Sequence, residues 1–139
     1  GTCKELFING SNENIRYHGS FKYPVQLIPI YENIDVSFVV YDTSSPNVRL
    51  ALPNKLYESA FFGIPLICAI DTALENNVVR MKIGTGISAK NCNIFEQEML
   101  AALNIDSLRQ YSEHCFAIQE NDLIDHGHLT VEKLLRENG

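Results

Sequence analysis

The sequence lacks the long apolar run that a membrane-spanning helix requires. No stretch of it approaches the roughly 20 consecutive apolar residues that cross a bilayer, and no signal peptide opens the chain. Basic residues are also scarce, since 11 Lys and Arg stand against 17 Asp and Glu and the net charge is −6. A nucleic-acid-binding surface needs concentrated positive charge. We therefore expect a protein with no transmembrane segment that does not bind nucleic acid.

Cysteine pairs with metal-binding or redox spacing are absent as well. No C-x-x-C occurs among the four cysteines, which are Cys3, Cys68, Cys92 and Cys115. Their wide separation argues against a zinc site or a disulfide framework and favours a reduced, cytosolic protein. The segment His126-Gly127-His128 has no acidic or thiol ligand at a suitable spacing, so we predict no metal site.

The rest of the chain is organised around a helix followed by a buried strand. Pro53 suits the first position of a helix, and Gly63 can adopt the left-handed conformation that ends one. Between them, apolar residues recur at helical spacing, at Leu56, Tyr57, Ala60 and Phe61. The run Ile64–Ile70 is almost wholly apolar, which is typical of a strand buried on both faces.

The start of this helix is a candidate anion site. Free backbone N–H groups and the positive end of the helix dipole attract anions there, and Lys55 adds a charge suited to phosphate. Glu58, one turn further on, could accept hydrogen bonds from two sugar hydroxyls. The alternative is that Lys55 and Glu58 form only a surface ion pair, worth about 0.2–0.5 kcal/mol.

The remaining pattern alternates strands and helices and then becomes helical. We predict a helix over Pro24–Asn33 that is interrupted at Pro29, a buried strand over Asp35–Val40, and a loop over Tyr41–Ala51. Further predicted elements are a helix over Thr72–Lys82 capped by Thr72, a glycine turn at Ile83–Ile87 leading into a short strand, and helices over Cys92–Leu103, Asp106–Gln119 and His128–Asn138. This order predicts one doubly wound α/β domain over residues 1–139, with a parallel sheet and C-terminal helices.

The organising stretch resembles a known donor-binding segment. Pro53-Asn54-Lys55-Leu56-Tyr57-Glu58, followed by Gly63-Ile64-Pro65-Leu66-Ile67, is similar to the nucleotide-sugar segment of GT-B glycosyltransferases. The resemblance is to the retaining bacterial group 1, or family 4, type of capsule and lipopolysaccharide synthesis. Tyr17-His18-Gly19-Ser20-Phe21 resembles the family's strand-glycine turn beside the nucleotide base, and Gly84-Thr85-Gly86-Ile87 resembles its later glycine turn.

The resemblance implies a Rossmann-like domain that binds the donor for sugar transfer to an acceptor hydroxyl. The first helical turn would hold the diphosphate, Glu58 the ribose, and the residues after Gly19 the base. The residues that this assigns to the donor are Gly19, Phe21, Lys22, Pro53, Asn54, Lys55, Leu56 and Glu58. The family needs no metal, so no cofactor is expected, and no residue is assigned a catalytic role.

Two departures from the family pattern limit the expected activity. Leu50 occupies the position of a second glutamate that contacts the sugar in many members, with Arg49 and Asn47 as candidate substitutes. The chain also resembles only the C-terminal of two domains and begins after that domain's first strand. We therefore expect an inactive half that lacks its N-terminal acceptor-binding domain and could associate through exposed apolar surface. It would be cytoplasmic, and peripheral at the inner membrane in the full-length enzyme.

An alternative from another class is a non-catalytic nucleotide-binding or interaction module. A receiver-type domain is a weaker interpretation, because Asp35 and Asp71 lack the clustered acidic pair and downstream lysine of phosphoryl chemistry.

Overall fold

The computed structural model describes residues 14, 16, 18–88, 90 and 92–118, with the backbone alone at residues 92 and 93. The chain divides into two compact units, the first ending at Asn33 and the second beginning at Ile34, and each is described by itself. Within the described residues, no helix is both long enough and apolar enough to cross a membrane. The predicted helix His128–Asn138 and the histidines at 126 and 128 lie outside the described residues.

The described residues of the first unit contain one short helix, α1 (Leu27–Tyr31). The predicted start of this helix at Pro24 is therefore wrong. A turn precedes the helix, in which the backbone N–H of Gln26 donates to the Lys22 carbonyl at 2.9 Å. Pro29 is the third residue of α1, where a backbone N–H would have no helical partner, so the predicted interruption does not arise.

The second unit is a three-stranded sheet with helices between and after the strands. Up to residue 118, its described elements are β1 (Ser37–Val39), α2 (Pro46–Leu50), α3 (Lys55–Phe62), β2 (Leu66–Ala69), α4 (Ala73–Met81), β3 (Gly84–Ile87), α5 (Cys92–Ala102) and α6 (Ile105–Ala117). The strand order is β1-β2-β3 and both pairs are parallel. The predicted α/β class and parallel sheet are confirmed. Inside the predicted loop Tyr41–Ala51, however, the structure has the helix α2, which begins at Pro46.

The central strand β2 is the hydrophobic core of the sheet. All four of its residues are buried, which confirms the prediction from the run Ile64–Ile70. Leu66 and Cys68 pack into one cluster with residues of α3, α4 and α6, while Ile67 packs into another with residues of α5. Since alternate residues of a strand point to opposite faces, helices cover both faces of the sheet at β2.

The outer strand β1 differs from its prediction. A strand covered on both faces was expected over Asp35–Val40, but only Ser37–Val39 pair with β2, and the Phe38 side chain is 50% exposed. Apolar sequence alone does not distinguish a central strand from an outer one, because both read as an apolar run.

The end of α3 follows the prediction. Gly63 has φ 75° and ψ 20°, in the left-handed region, and its N–H donates to the Ala60 carbonyl. The Ile64 N–H donates to the Ser59 carbonyl at 2.9 Å, which completes a Schellman motif. A side chain at Gly63 would also collide with the Phe116 ring of α6, so the glycine allows α6 to pack against this turn.

The short strand predicted after Ile83 is present, but the glycines lie in it and not in a turn before it, because Gly84–Ile87 form β3 and pair with β2. A Cβ atom at Gly84 would lie 1.8 Å from the Leu66 carbonyl oxygen. Gly84 is therefore required by the close approach of two strands, and no phosphate-binding role is needed to explain it.

Two cysteines lie in the core. Cys68 and Cys115 are buried free thiols. Burial raises the pKa of Cys68 to about 12, with the Glu75 carboxylate acting in the same direction, and burial raises the pKa of Cys115 to about 11. Both thiols are therefore neutral at physiological pH, as expected for core hydrophobes.

Replacing Gly84 by alanine should lower the free energy of unfolding by about 3 kcal/mol, because β3 must move away from β2 to admit the methyl group. Urea denaturation would measure the change. Thr85→Ala, in the same strand but with a half-buried side chain, is the control and should cost less than about 1 kcal/mol. Equal losses in the two variants would contradict the close-approach explanation.

The buried thiols should react slowly in the folded protein. In a Cys3→Ser, Cys92→Ser variant at about pH 8, Ellman's reagent should modify the two remaining cysteines only as fast as the protein unfolds. Because folding raises both pKa values, thiol ionisation favours the unfolded state as the pH rises above about 9, and the reaction should then accelerate. Fast modification of native protein near neutral pH would contradict the assigned burial.

Candidate functional site

The candidate site lies at the edge of the sheet where its parallel strands end. A small apolar hollow there is lined by residues at the ends of β1 and β2, in and after α2, before α3 and at the start of α4: Val39, Tyr41, Val48, Ala51, Pro53, Ala69, Thr72 and Leu74. Open α/β sheets bind their ligands at this carboxyl edge. The second unit thus brings the start of α3, predicted to bind phosphate, to the edge where a ligand is expected.

Five of the predicted donor-binding residues lie in the first turn of α3 or directly before it. The helix begins at Lys55, two residues after Pro53, so the prediction that proline occupies its first position is wrong. The Pro53 carbonyl instead accepts a hydrogen bond from the Leu56 N–H at 3.0 Å, which closes a tight turn before the helix. This bond occupies one of the amides that an anion would use. The Leu56 side chain lies in the core, so only its backbone faces this turn.

Lys55 and Glu58 form an ion pair, with 2.6 Å between Nζ and Oε2. The Glu58 side chain is 13% exposed and that of Lys55 is 37% exposed. This is the contact that the alternative interpretation of the two residues anticipates. The ammonium of Lys55 and the carboxylate of Glu58 both belong to the first turn of α3.

The other three predicted donor-binding residues belong to the first unit. Gly19 has φ 77°, in the left-handed region, and a side chain there would meet no atom within 4 Å. Phe21 and Lys22 are exposed, and the Lys22 N–H donates to Gln26 Oε1 at 2.7 Å. The positive φ explains the glycine by backbone conformation alone. The predicted contacts of these residues with a nucleotide base stay a prediction.

A larger cleft lies beside the hollow, between α2 and α4, and shares Thr72 with it. This α2–α4 cleft has a volume of ≈ 390 Å³ and is lined by Pro46, Arg49, Leu50, Asp71, Thr72, Ala73 and Asn76. The family resemblance concerns Arg49 and Leu50 only as the position of a sugar-binding glutamate, and no sequence pattern described above predicts the cleft. The signal that could have pointed to it is the T-x-x-E sequence of residues 72–75, a capping box that places a helix start directly after β2.

The start of α4 is held by a network of local hydrogen bonds. Thr72 Oγ1 accepts from the Glu75 N–H at 3.0 Å and donates to the Ala69 carbonyl at 2.8 Å, which confirms Thr72 as the N-cap. Glu75 Oε2 accepts from the Asp71 N–H at 2.8 Å. Asp71 has φ 62°, in the left-handed region, and this bond to Glu75 helps to hold it there. The turn therefore fixes the backbone of one wall of the cleft.

A further carboxylate lies in the turn after β1. Asp42 Oδ1 accepts a hydrogen bond from the Ser44 N–H at 2.9 Å. This bond lowers the pKa of Asp42 below its usual value, and the Ser44 hydroxyl and the positive charge of Lys90 act in the same direction against a small effect of burial. Asp42 is therefore ionised at neutral pH.

The described residues include no group of three or more His, Cys, Asp or Glu side chains that could hold a metal ion. No protein family matches the sequence, and neither curated proteins nor solved structures include a significant match to this chain.

Replacing Thr72 by alanine should lower the free energy of unfolding by about 1 kcal/mol, because the Glu75 N–H loses its capping acceptor. Thr72→Ser keeps the hydroxyl and should retain most of the stability. Urea denaturation of both variants would measure the difference. An equal loss in the serine variant would show that the threonine methyl group, rather than the cap, stabilises this turn.

Proposed function

We propose that this chain is the donor-binding half of a retaining glycosyltransferase of the GT-B type, which binds a nucleotide-diphosphate sugar. The observation that carries the proposal is the position of the Pro53–Glu58 segment. Its sequence resembles the donor-binding segment of these enzymes, and it begins a helix at the carboxyl edge of a parallel sheet.

The order of elements supports a Rossmann-like, doubly wound arrangement. From β1 to β3 the order is strand, two helices, strand, helix and strand, both described strand pairs are parallel, and helices pack on both faces of β2. In such sheets the first helical turn after a strand is a common place for phosphate groups.

The residues of the α3 start have distinct proposed roles. The backbone around Asn54 and Lys55 and the Lys55 ammonium would hold the diphosphate, while the Glu58 carboxylate would accept hydrogen bonds from ribose hydroxyls. Stabilisation of the departing diphosphate would be the main contribution of this half to sugar transfer. The acceptor would come from a separate N-terminal domain, on the cytoplasmic side of the membrane that carries the growing polysaccharide.

A non-catalytic interaction module is the second candidate. The observation that favours it is exposed aromatic surface on the second unit, where Phe38, Phe61 and Phe116 are all more than a third exposed. Large aromatic side chains exposed in this way can contribute to a site of association if a partner covers them. Such a module would show no preference among nucleotides.

Nucleotide binding is testable by thermal and chemical stability. UDP, GDP and their sugars should be titrated into the protein, and the nucleotide that fits should add about 2.7 kcal/mol of stability at 100 times its dissociation constant. Glu58→Gln should abolish this gain, because the amide replaces one of the two carboxylate oxygens that accept hydrogen bonds from the ribose hydroxyls and removes the negative charge.

The matched control is Glu96→Gln, which removes a carboxylate from an exposed position on α5. This variant should bind the nucleotide as the wild type does. A gain that persists in Glu58→Gln would contradict the proposed ribose contact. The absence of any gain with all the nucleotides would favour the interaction module.

A further inference from the structure

The α2–α4 cleft contains a cation that the proposed donor site does not use. Arg49 lies in the last turn of α2 and lines the cleft, and among the described residues it takes part in no salt bridge. Lys55 differs, because its ammonium lies 2.6 Å from a Glu58 carboxylate oxygen. Among the described residues, Arg49 is therefore a cation of the cleft with no ion-pair partner, and Asp71 lines the same cleft.

The opposite wall of the cleft also favours an anion. It is formed by the start of α4, a nine-residue helix whose dipole is positive at this end. The Glu75 carboxylate offsets part of this dipole, and its oxygens lie against the Asp71 N–H and near Gly86. Arginine presents a planar fork of donors that matches the oxygens of a phosphate group.

Beside its positively charged part, the cleft also has residues that can accept hydrogen bonds. The exposed Asp71 carboxylate lines it, and carboxylate oxygens accept hydrogen bonds from hydroxyl groups. The Asn76 side chain adds both donors and an acceptor. A volume of ≈ 390 Å³ is within the range of small-molecule sites. A ligand with a phosphate at one end and hydroxyls at the other matches this distribution.

We propose that the α2–α4 cleft binds the phosphate of a phosphorylated sugar, with Arg49 as its cation and Asp71 as the acceptor for sugar hydroxyls. The proposal rests on the proposed function for its ligand class, because a nucleotide-diphosphate sugar carries both groups. It adds Arg49 to the phosphate contacts that the proposed function places at the start of α3.

Inorganic pyrophosphate tests the phosphate contact without a nucleoside. In two-dimensional amide NMR spectra of the labelled protein, pyrophosphate should produce saturable shifts at residues 71–76. Arg49→Gln should weaken this binding by about tenfold or more, as expected for a lost charge-assisted hydrogen bond.

Arg80→Gln is the matched control for general loss of positive charge. Arg80 is an exposed arginine on α4 outside the cleft, and its guanidinium donates to Asn77 Oδ1 at 2.8 Å. Arg49→Lys keeps the charge without the fork and should bind with intermediate affinity, which also provides a readout if Arg49→Gln fails to fold. The proposal is overturned if wild-type residues 71–76 do not shift, if Arg49→Gln binds normally, or if Arg80→Gln weakens binding equally.

Glucose 1-phosphate tests the hydroxyl contact. Asp71→Asn removes a negative charge, so it should leave pyrophosphate binding unchanged or strengthen it, while glucose 1-phosphate binding should weaken relative to pyrophosphate. Parallel changes for the two ligands would overturn the role of Asp71.

UDP and GDP separate this inference from the proposed function. If pyrophosphate binding depends on Arg49 but neither nucleotide binds more tightly than pyrophosphate, the cleft assignment stands and the donor proposal fails. If a nucleotide binds in a way that requires Glu58 and not Arg49, the donor proposal stands and the cleft assignment fails.

Discussion

The parallel pairing of β2 with both of its neighbours is the constraint on which the second unit depends. β2 is buried on both faces, and its backbone approaches β3 so closely that the partner of Leu66 has no side chain. Parallel strands end at the same edge of a sheet, so this pairing determines that the loops after β1 and β2 meet there. The start of α3 and the start of α4 are consequently neighbours, although 17 positions separate Lys55 from Thr72 in the sequence. Every candidate contact in the second unit follows from that juxtaposition.

Much of the polar chemistry at the carboxyl edge is committed to local structure. Thr72 caps α4 and Glu75 holds the Asp71 N–H, so neither is free to change partners without loss of helix stability. Asp42 is similarly held by its own turn. A ligand would therefore be recognised mainly by Arg49 and Asp71, whose charged groups line the cleft. At the carboxyl edge, side chains that hydrogen-bond to the backbone hold the turns in place. Side chains without such a bond are the ones that could bind a substrate.

The sequence predicts elements that are specified locally and misses those that depend on a neighbour. The buried strand after Gly63, the left-handed end of α3 and the Thr72 cap follow from apolar periodicity, glycine conformation and hydroxyl chemistry within a few residues. Glycine normally signals a turn, so the sequence predicts one at Ile83–Ile87. Only the close approach of Leu66 explains why Gly84 lies in a strand. The α2–α4 cleft could not be predicted, since its two walls come from separate helices and no local pattern records their distance.

The Lys55–Glu58 pair does not by itself decide between a binding site and a surface contact. A partly exposed pair at this helical spacing contributes only about 0.2–0.5 kcal/mol. A charge-assisted hydrogen bond to a ligand contributes about 1.5–3 kcal/mol, so a phosphate and a ribose could replace the pair at small cost. Among the described residues, Arg49 forms no ion pair. Binding a phosphate at Arg49 would therefore not require an ion pair to break, as binding at Lys55 would. Because the Lys55–Glu58 pair must break before Lys55 can bind a ligand, we expect a phosphate to bind first in the α2–α4 cleft.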